Sequence, residues 1–265
     1  MKRFGIILLL VLLFAVWIYG IVYTPEEEFG EDDLYQAIVS RGKIKVGINT
    51  DSKPFGFYDQ NGKIDGYDAD LAHYIAQYIV KNPDAVEFIP VTPSNRLIKA
   101  STREVDIVIS TVTITPQRQE IVSFSIPYDY AGQAVLTLRR SSIKSLADLS
   151  GQTVGVIFGT TAEKNMQKLV PTANIRGFKS YNDAYLALKN GQINAITSDD
   201  TILSRYTYSD NDVILLPKRY SNEPYGIAFK KGDTTIKLKE NLDFAIKDMK
   251  QKGVILRLHN KWGLF

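Results

Sequence analysis

Ile107-Val108-Ile109-Ser110-Thr111-Val112-Thr113-Ile114-Thr115-Pro116-Gln117-Arg118 is the stretch on which the reading of this chain turns. It opens on an apolar β-branched run, Ile107-Val108-Ile109, the composition of a strand buried in a parallel sheet. The run stops abruptly in hydroxyls: Ser110, Thr111 and Thr113. Thr115 suits an N-cap and Pro116 the first helical position, so a helix starts there. Arg118 then falls in the first turn of that helix, where a cation opposes the dipole and is a poor choice for helix stability alone. Hydroxyls at the C-terminal end of a strand, free amides and a guanidinium together make a socket for a small carboxylate. The competing reading is an ordinary strand-turn-helix with a surface arginine.

Composition narrows the possibilities. The chain has 265 residues, enough for one or two domains with proper cores. Its 32 basic and 29 acidic residues are mixed along the chain and leave a net charge of +3, with no clustered basic face for a nucleic acid. There is no cysteine, which excludes thiolate catalysis, thiolate metal sites, disulfides and a lipid-modified N-terminal cysteine. His73 and His259 are the two histidines, so a multi-histidine metal site is excluded as well, and no cofactor is expected. His73, alone inside a helical pattern, and His259 read as structural.

Met1-Lys2-Arg3 precedes Phe4 to Tyr23, an uncharged and overwhelmingly apolar run of 20 residues, and Glu26-Glu27-Glu28 follows it. As a helix the run would span roughly 30 Å, a bilayer core. The positive start places Met1 in the cytoplasm and the rest outside. Ile18-Tyr19-Gly20 and Val22-Tyr23-Thr24 are poor cleavage sites, so residues 4–23 are expected to stay as a membrane anchor rather than to leave as a signal peptide.

The remainder alternates between strands and helices, as an α/β protein does. Leu34 to Arg41 reads as a helix stopped by Gly42. Strands are expected over 43–48, 86–91, 107–109, 134–138, 153–157, 173–178, 193–200 and 213–216. Asn61-Gly62 and Asp65-Gly66 are hairpin signals. Helices are expected from Tyr67 to about Val80, after Arg96, over 182–189 and over 234–252, the last broken by Gly253. Thr160 with Glu163 fits a capping box, which would turn the amides of Thr160 and Thr161 toward a cleft. Asn49 opens a polar loop after the first strand. Asp199 and Asp200 end another strand, and solvated turn aspartates are the plain alternative for them. Arg96, near a helix start, equally reads as a solvated arginine.

From about Lys43 to Phe265 the chain resembles the extracytoplasmic amino-acid-binding proteins that serve ABC importers, solute-binding protein family 3. The resemblance is carried by the strand ending in hydroxyls before I-T-x-x-R at Ile114 to Arg118, by F-S-x-P-Y at Phe124 to Tyr128, by S-L-x-D-L-x-G and V-G-V-x-x-G-T-T between Ser145 and Thr161, and by I-x-x-L-H-x-K-W at the end. It implies a two-lobed periplasmic-binding-protein fold of type II, each lobe a mixed sheet flanked by helices and the two joined by hinge strands. Lobe 1 would take residues 34–130 and 223–265, lobe 2 residues 131–222, with 1–33 as anchor and linker. It also implies a site made of Asn49, Arg96, Ser110, Thr111, Thr113, Arg118, Thr160, Thr161 and Asp199. Arg118 would clamp an α-carboxylate and Asp199 an α-ammonium, both facing a solvent-filled open cleft. Arg96 favours glutamate or aspartate as ligand, with glutamine next. A monomer would deliver the amino acid, outside the cytoplasmic membrane, to a permease with a separate ATPase. Two other readings compete: a dehydratase of the cyclohexadienyl type on the same fold, and a ligand-sensing ectodomain.

Overall fold

The computed structural model describes residues 33–264, so the apolar run of residues 4–23 and its proposed anchoring lie outside the described residues. Among the described residues, no helix is long and apolar enough to cross a membrane. Helix α1 (Leu34–Arg41) leads into β1 (Ile44–Asn49), a meander of β2 (Asp51–Ser52), β3 (Gly56–Tyr58) and β4 (Ile64–Asp65), and helix α2 (Tyr67–Ile79). β5 (Val86–Val91), α3 (Arg96–Ser101), β6 (Ile107–Val108), the one-turn α4 (Pro116–Gln119) and β7 (Val122–Phe124) follow. The chain then crosses on β8 (Asp129–Ala131) to β9 (Gln133–Leu138), β10 (Thr153–Ile157), α5 (Ala162–Leu169), β11 (Asn174–Phe178), α6 (Tyr181–Lys189), β12 (Ala195–Asp199), α7 (Asp200–Ser209) and β13 (Val213–Leu215). It returns on β14 (Glu223–Tyr225) to β15 (Ala228–Lys230), α8 (Ile236–Gln251) and α9 (Val254–Trp262).

Two five-stranded sheets result, one in the order β5-β1-β6-β15-β7 and the other β11-β10-β12-β9-β13. Both are mixed. β1 runs parallel to β5 and β6, while β15 lies antiparallel to β6 and β7. In the second sheet β10 is parallel to β11 and β12, and β9 is antiparallel to β12 and β13. Ile44, Val46 and Ile48 on one face of β1 are fully buried, and Gly47 and Asn49 on the other face are buried too, as a central parallel strand covered on both faces requires. Helix α8 buries Leu238, Leu242, Ala245, Ile246 and Met249, one stripe at helical spacing, and Gly253 beyond it takes the left-handed φ of 66° that terminates a helix. The two crossings pair with each other: β8 and β14 form an antiparallel ribbon with Tyr225 opposite Asp129.

Local chemistry departs from the sequence reading at three points. Asn61-Gly62 does form a turn, but Asp65-Gly66 does not. Gly66, at φ 129°, feeds the chain straight into α2, and a Cβ there would lie 2.1 Å from the Phe55 carbonyl oxygen. The glycine serves close backbone approach rather than a hairpin. The Thr160–Glu163 capping box is also absent, because Thr161 holds the N-cap position of α5 and its side chain caps nothing there. The strand over 107–109 keeps its ladder only through Val108, since the chain turns at Thr111, whose φ is 47°.

Candidate functional site

That turn places the hydroxyl cluster beside the return crossing. The Ile114 amide donates to the Pro224 carbonyl at 2.8 Å, the Gly226 amide donates to Val112 at 3.0 Å, and Thr113 bridges to Tyr225. Thr111 donates its amide to the Tyr128 hydroxyl at 3.2 Å. Thr115 caps α4 as expected, its hydroxyl oxygen accepting from the Arg118 amide at 3.2 Å. The cap fixes the start of a helix only one turn long and so aims the Arg118 side chain inward. Its Nη1 donates to the Thr113 carbonyl at 2.9 Å. Its Nη2 donates to the carbonyl of Gly159, in the loop after β10 of the second sheet, also at 2.9 Å.

Arg96 is not a solvated arginine: it is buried, and its Nη1 donates to the Ser110 carbonyl. The Nε of Arg96 and the hydroxyl of Ser110 are both buried without a partner. Asn49 is buried as well, and its Oδ1 is taken by the Asp51 amide at 3.0 Å.

From the second sheet, β12 delivers Asp199 at its C-terminal end. The Tyr225 hydroxyl donates to Asp199 Oδ2 at 2.5 Å, which leaves Oδ1 available. Asp200 does not cap α7. It accepts from the Gly132 amide at 3.0 Å and pairs with Arg219 at 2.6 Å, which ties the first crossing to α7. Thr160 departs from expectation: its amide and its hydroxyl both donate to the Ile157 carbonyl, at 3.2 and 2.7 Å, so that amide is not free for a ligand. Thr161 donates its hydroxyl to Glu223 Oε2 at 3.1 Å.

Glu223, buried on the return crossing, is a residue the sequence reading passed over. It also accepts from Asn165 Nδ2 at 3.0 Å and from the Ser221 hydroxyl at 2.6 Å. A usable signal existed. Glu223 and Tyr225 lie two apart on a strand and therefore share a face, one carrying a carboxylate and the other a hydroxyl.

The charges act on one another. Burial pulls the Arg118 guanidinium down to about 10, and the neighbouring Arg96 adds to this against the pull of Asp199 and Glu223. Burial likewise lowers Arg96. Burial pushes the Asp199 carboxyl up to about 6 and Glu223 pushes the same way, while the Tyr225 hydrogen bond and both arginines oppose it. Two guanidiniums and two carboxylates thus share a low-dielectric space where the sheets meet.

The lobes are closed on each other. Besides the Arg118–Gly159 bond, Asp51 Oδ2 accepts from the Tyr181 amide at 2.6 Å, Arg205 Nη1 donates to the Asp51 carbonyl at 3.4 Å, and the Ser94 hydroxyl donates to Phe158 at 3.3 Å. Arg118 and Asp199, expected in an open solvent-filled cleft, are consequently only 9% and 7% exposed.

Two mixed sheets joined by a two-strand ribbon, with convergent charges between them, define a two-lobed solute-binding protein of type II. The chain belongs to the bacterial extracellular solute-binding proteins, family 3, whose match covers residues 44–265. It is 34% identical over 232 residues to the ABC transporter glutamine-binding protein GlnH of Bacillus subtilis, covering 87% of this chain and 84% of that one. It is 36% identical over 198 residues to a glutamine-binding protein of Geobacillus stearothermophilus, covering 74% and 76%. Among solved structures, an ancestral arginine-binding protein bound to glutamine superposes with a TM-score of 0.77 at 36% identity, covering 85% of this chain and 99% of the other. The kinship is with binding proteins of transport systems.

Proposed function

We propose that the protein captures a polar α-amino acid between its lobes and hands it, as a monomer outside the cytoplasmic membrane, to an ABC permease with a separate ATPase. Lobe 1 comprises residues 34–130 and 223–265 and lobe 2 residues 131–222, with residues 4–23 as the anchor. The ligand carboxylate takes the Arg118 donor now spent on Gly159, and the ligand ammonium meets the free Oδ1 of Asp199. Ser110, Thr111, Thr113, Thr161, Asn49 and Arg96 complete the enclosure, with Thr160 shaping the turn beneath it.

The observation that carries the choice of ligand is the charge pairing: Arg96 and Arg118 stand against Asp199 and Glu223. A net-neutral zwitterion leaves that buried balance intact, whereas a net charge on the ligand goes uncompensated. On this reading glutamine comes first, glutamate and aspartate come behind it, and arginine is rejected. The two relatives named for glutamine support putting glutamine first.

Calorimetry with glutamine, glutamate, aspartate, histidine and arginine tests it. Glutamine is expected to bind tightest, and Arg118→Ala or Asp199→Ala to cost roughly 2–5 kcal/mol by leaving a desolvated ligand charge unpaired. A micromolar binder would then fall to roughly millimolar or weaker. Tight arginine binding, or either variant binding like the parent, would overturn the assignment.

A further inference from the structure

Gln133 opens β9 directly opposite Asp199 in the antiparallel pairing with β12. Directly opposed residues in such a pair point to the same face, with Cβ atoms about 4.5–5.5 Å apart. The side chain is 1% exposed. Its amide orientation is dictated by its neighbours. The Thr197 hydroxyl donates its one proton to the Ala134 carbonyl at 2.9 Å, so its oxygen can only accept. It accepts from Gln133 Nε2 at 2.8 Å, and the Ala162 carbonyl, which also can only accept, takes the same group at 3.4 Å. Flipping the amide would set oxygen against acceptors on both sides. Oε1 is therefore held in place, buried and without any donor. A buried acceptor with no partner calls for an explanation. Here it lies next to the carboxylate assigned to a ligand ammonium, and the Gln133 backbone amide is itself fixed on Ser221 at 3.0 Å, the residue that donates to Glu223.

We infer that Gln133 is a ligand-contacting residue whose Oε1 accepts an N–H from the same α-ammonium that Asp199 binds. The inference rests on the amino-acid reading above. An ammonium has three N–H donors. Asp199 has one oxygen already occupied by Tyr225, so a second acceptor is needed to receive the remaining hydrogens as the cleft dries. A carbonyl acceptor at this position also repels the ligand carboxylate, so it fixes which end of the amino acid faces lobe 2.

The test compares the parent with Gln133→Leu, titrating L-glutamine and its Nα-methyl analogue by calorimetry and melting both proteins without ligand. The variant is expected to bind L-glutamine at least tenfold more weakly, and its unliganded melting temperature is expected to fall as well, because the Nε2 bonds to Thr197 and Ala162 are lost, which is why the methylation comparison is read beside the affinity. In the parent, Nα-methylation removes an N–H and weakens binding; in the variant that penalty should shrink, because the partner of the lost N–H is gone. Gln133→Met substitutes, with the same expectations, if the leucine variant does not fold. A variant that binds L-glutamine like the parent, or that shows an unchanged methylation penalty, overturns the inference alone. A parent that binds no amino acid at all sinks the functional reading and this inference together.

Discussion

Asp68 sits in the first turn of α2, fully buried, with the Tyr128 hydroxyl donating to Oδ1 at 3.1 Å and Oδ2 unpartnered. Burial pushes its carboxyl up to about 7, helped by the charge of Asp129 and opposed by the Tyr128 bond. An aspartate in the unfolded chain titrates near ~3.9. Between about pH 4 and 7, then, the folded protein keeps a proton that the unfolded chain has released, and stability falls as pH rises through that window. Asp68→Asn removes the penalty, so its melting temperature relative to the parent's should rise from pH 5 to about pH 7 and level off above that. A constant difference would mean the carboxyl ionises in its ordinary range. Asp199 sets a different window. Its carboxyl, raised to about 6, must be ionised to hold an ammonium, so amino-acid affinity should weaken by up to about tenfold per unit as pH drops below 6. Calorimetry between pH 4.5 and 7.5 checks this, and an affinity independent of pH would contradict the role given to Asp199.

At the scale of elements, α4 shows how little helix is needed to aim a functional side chain. Four residues have no helical stability of their own and depend on the Thr115 cap and on packing. Thr115→Ala should lower stability by about 0.5–2 kcal/mol, read from denaturant unfolding. It should weaken binding less than Arg118→Ala does, because the guanidinium is displaced but not deleted. A binding loss equal to that of Arg118→Ala would show that the cap is indispensable to the clamp. The same element shows what sequence makes legible. Thr115 and Pro116 announce the cap and the first turn in adjacent positions, and apolar strands such as Thr153–Ile157 are bounded correctly because burial leaves a continuous signature. What escaped was partnership across distance. Glu223 meets Thr161 and Asn165, 62 and 58 residues away, and no local pattern encodes those bonds. The choice between Thr160 and Thr161 failed for a related reason. Either threonine can cap on local grounds, and the carboxylate arriving from the return crossing decides which hydroxyl turns outward.

Among the described residues, two lobes are held shut by hydrogen bonds such as Arg118 to Gly159 and Tyr181 to Asp51, and one contact between them leaves no room for a side chain. Gly159, in the loop after β10, stands against the chain that follows β5. A Cβ on it would fall 2.4 Å from the Pro93 carbonyl oxygen and 2.7 Å from the Ser94 amide nitrogen. These atoms belong to the opposite lobe, so the clash exists only when the cleft is shut. Gly159 also has a φ of 81°, which adds a strain of order 1–3 kcal/mol for any other residue, open or closed. Gly159→Ala should therefore act in two separable ways. The unliganded protein should melt modestly lower, reflecting the backbone strain. Amino-acid affinity should fall further than that, by tenfold or more, because a ligand shifts the equilibrium only by its preference for the closed state, and that state has been raised. Small-angle scattering separates the two effects. Saturating L-glutamine should contract the parent and fail to contract the variant. A variant that contracts fully and binds like the parent would mean that the liganded lobes meet in a different arrangement from the one in which Gly159 stands against Pro93 and Ser94.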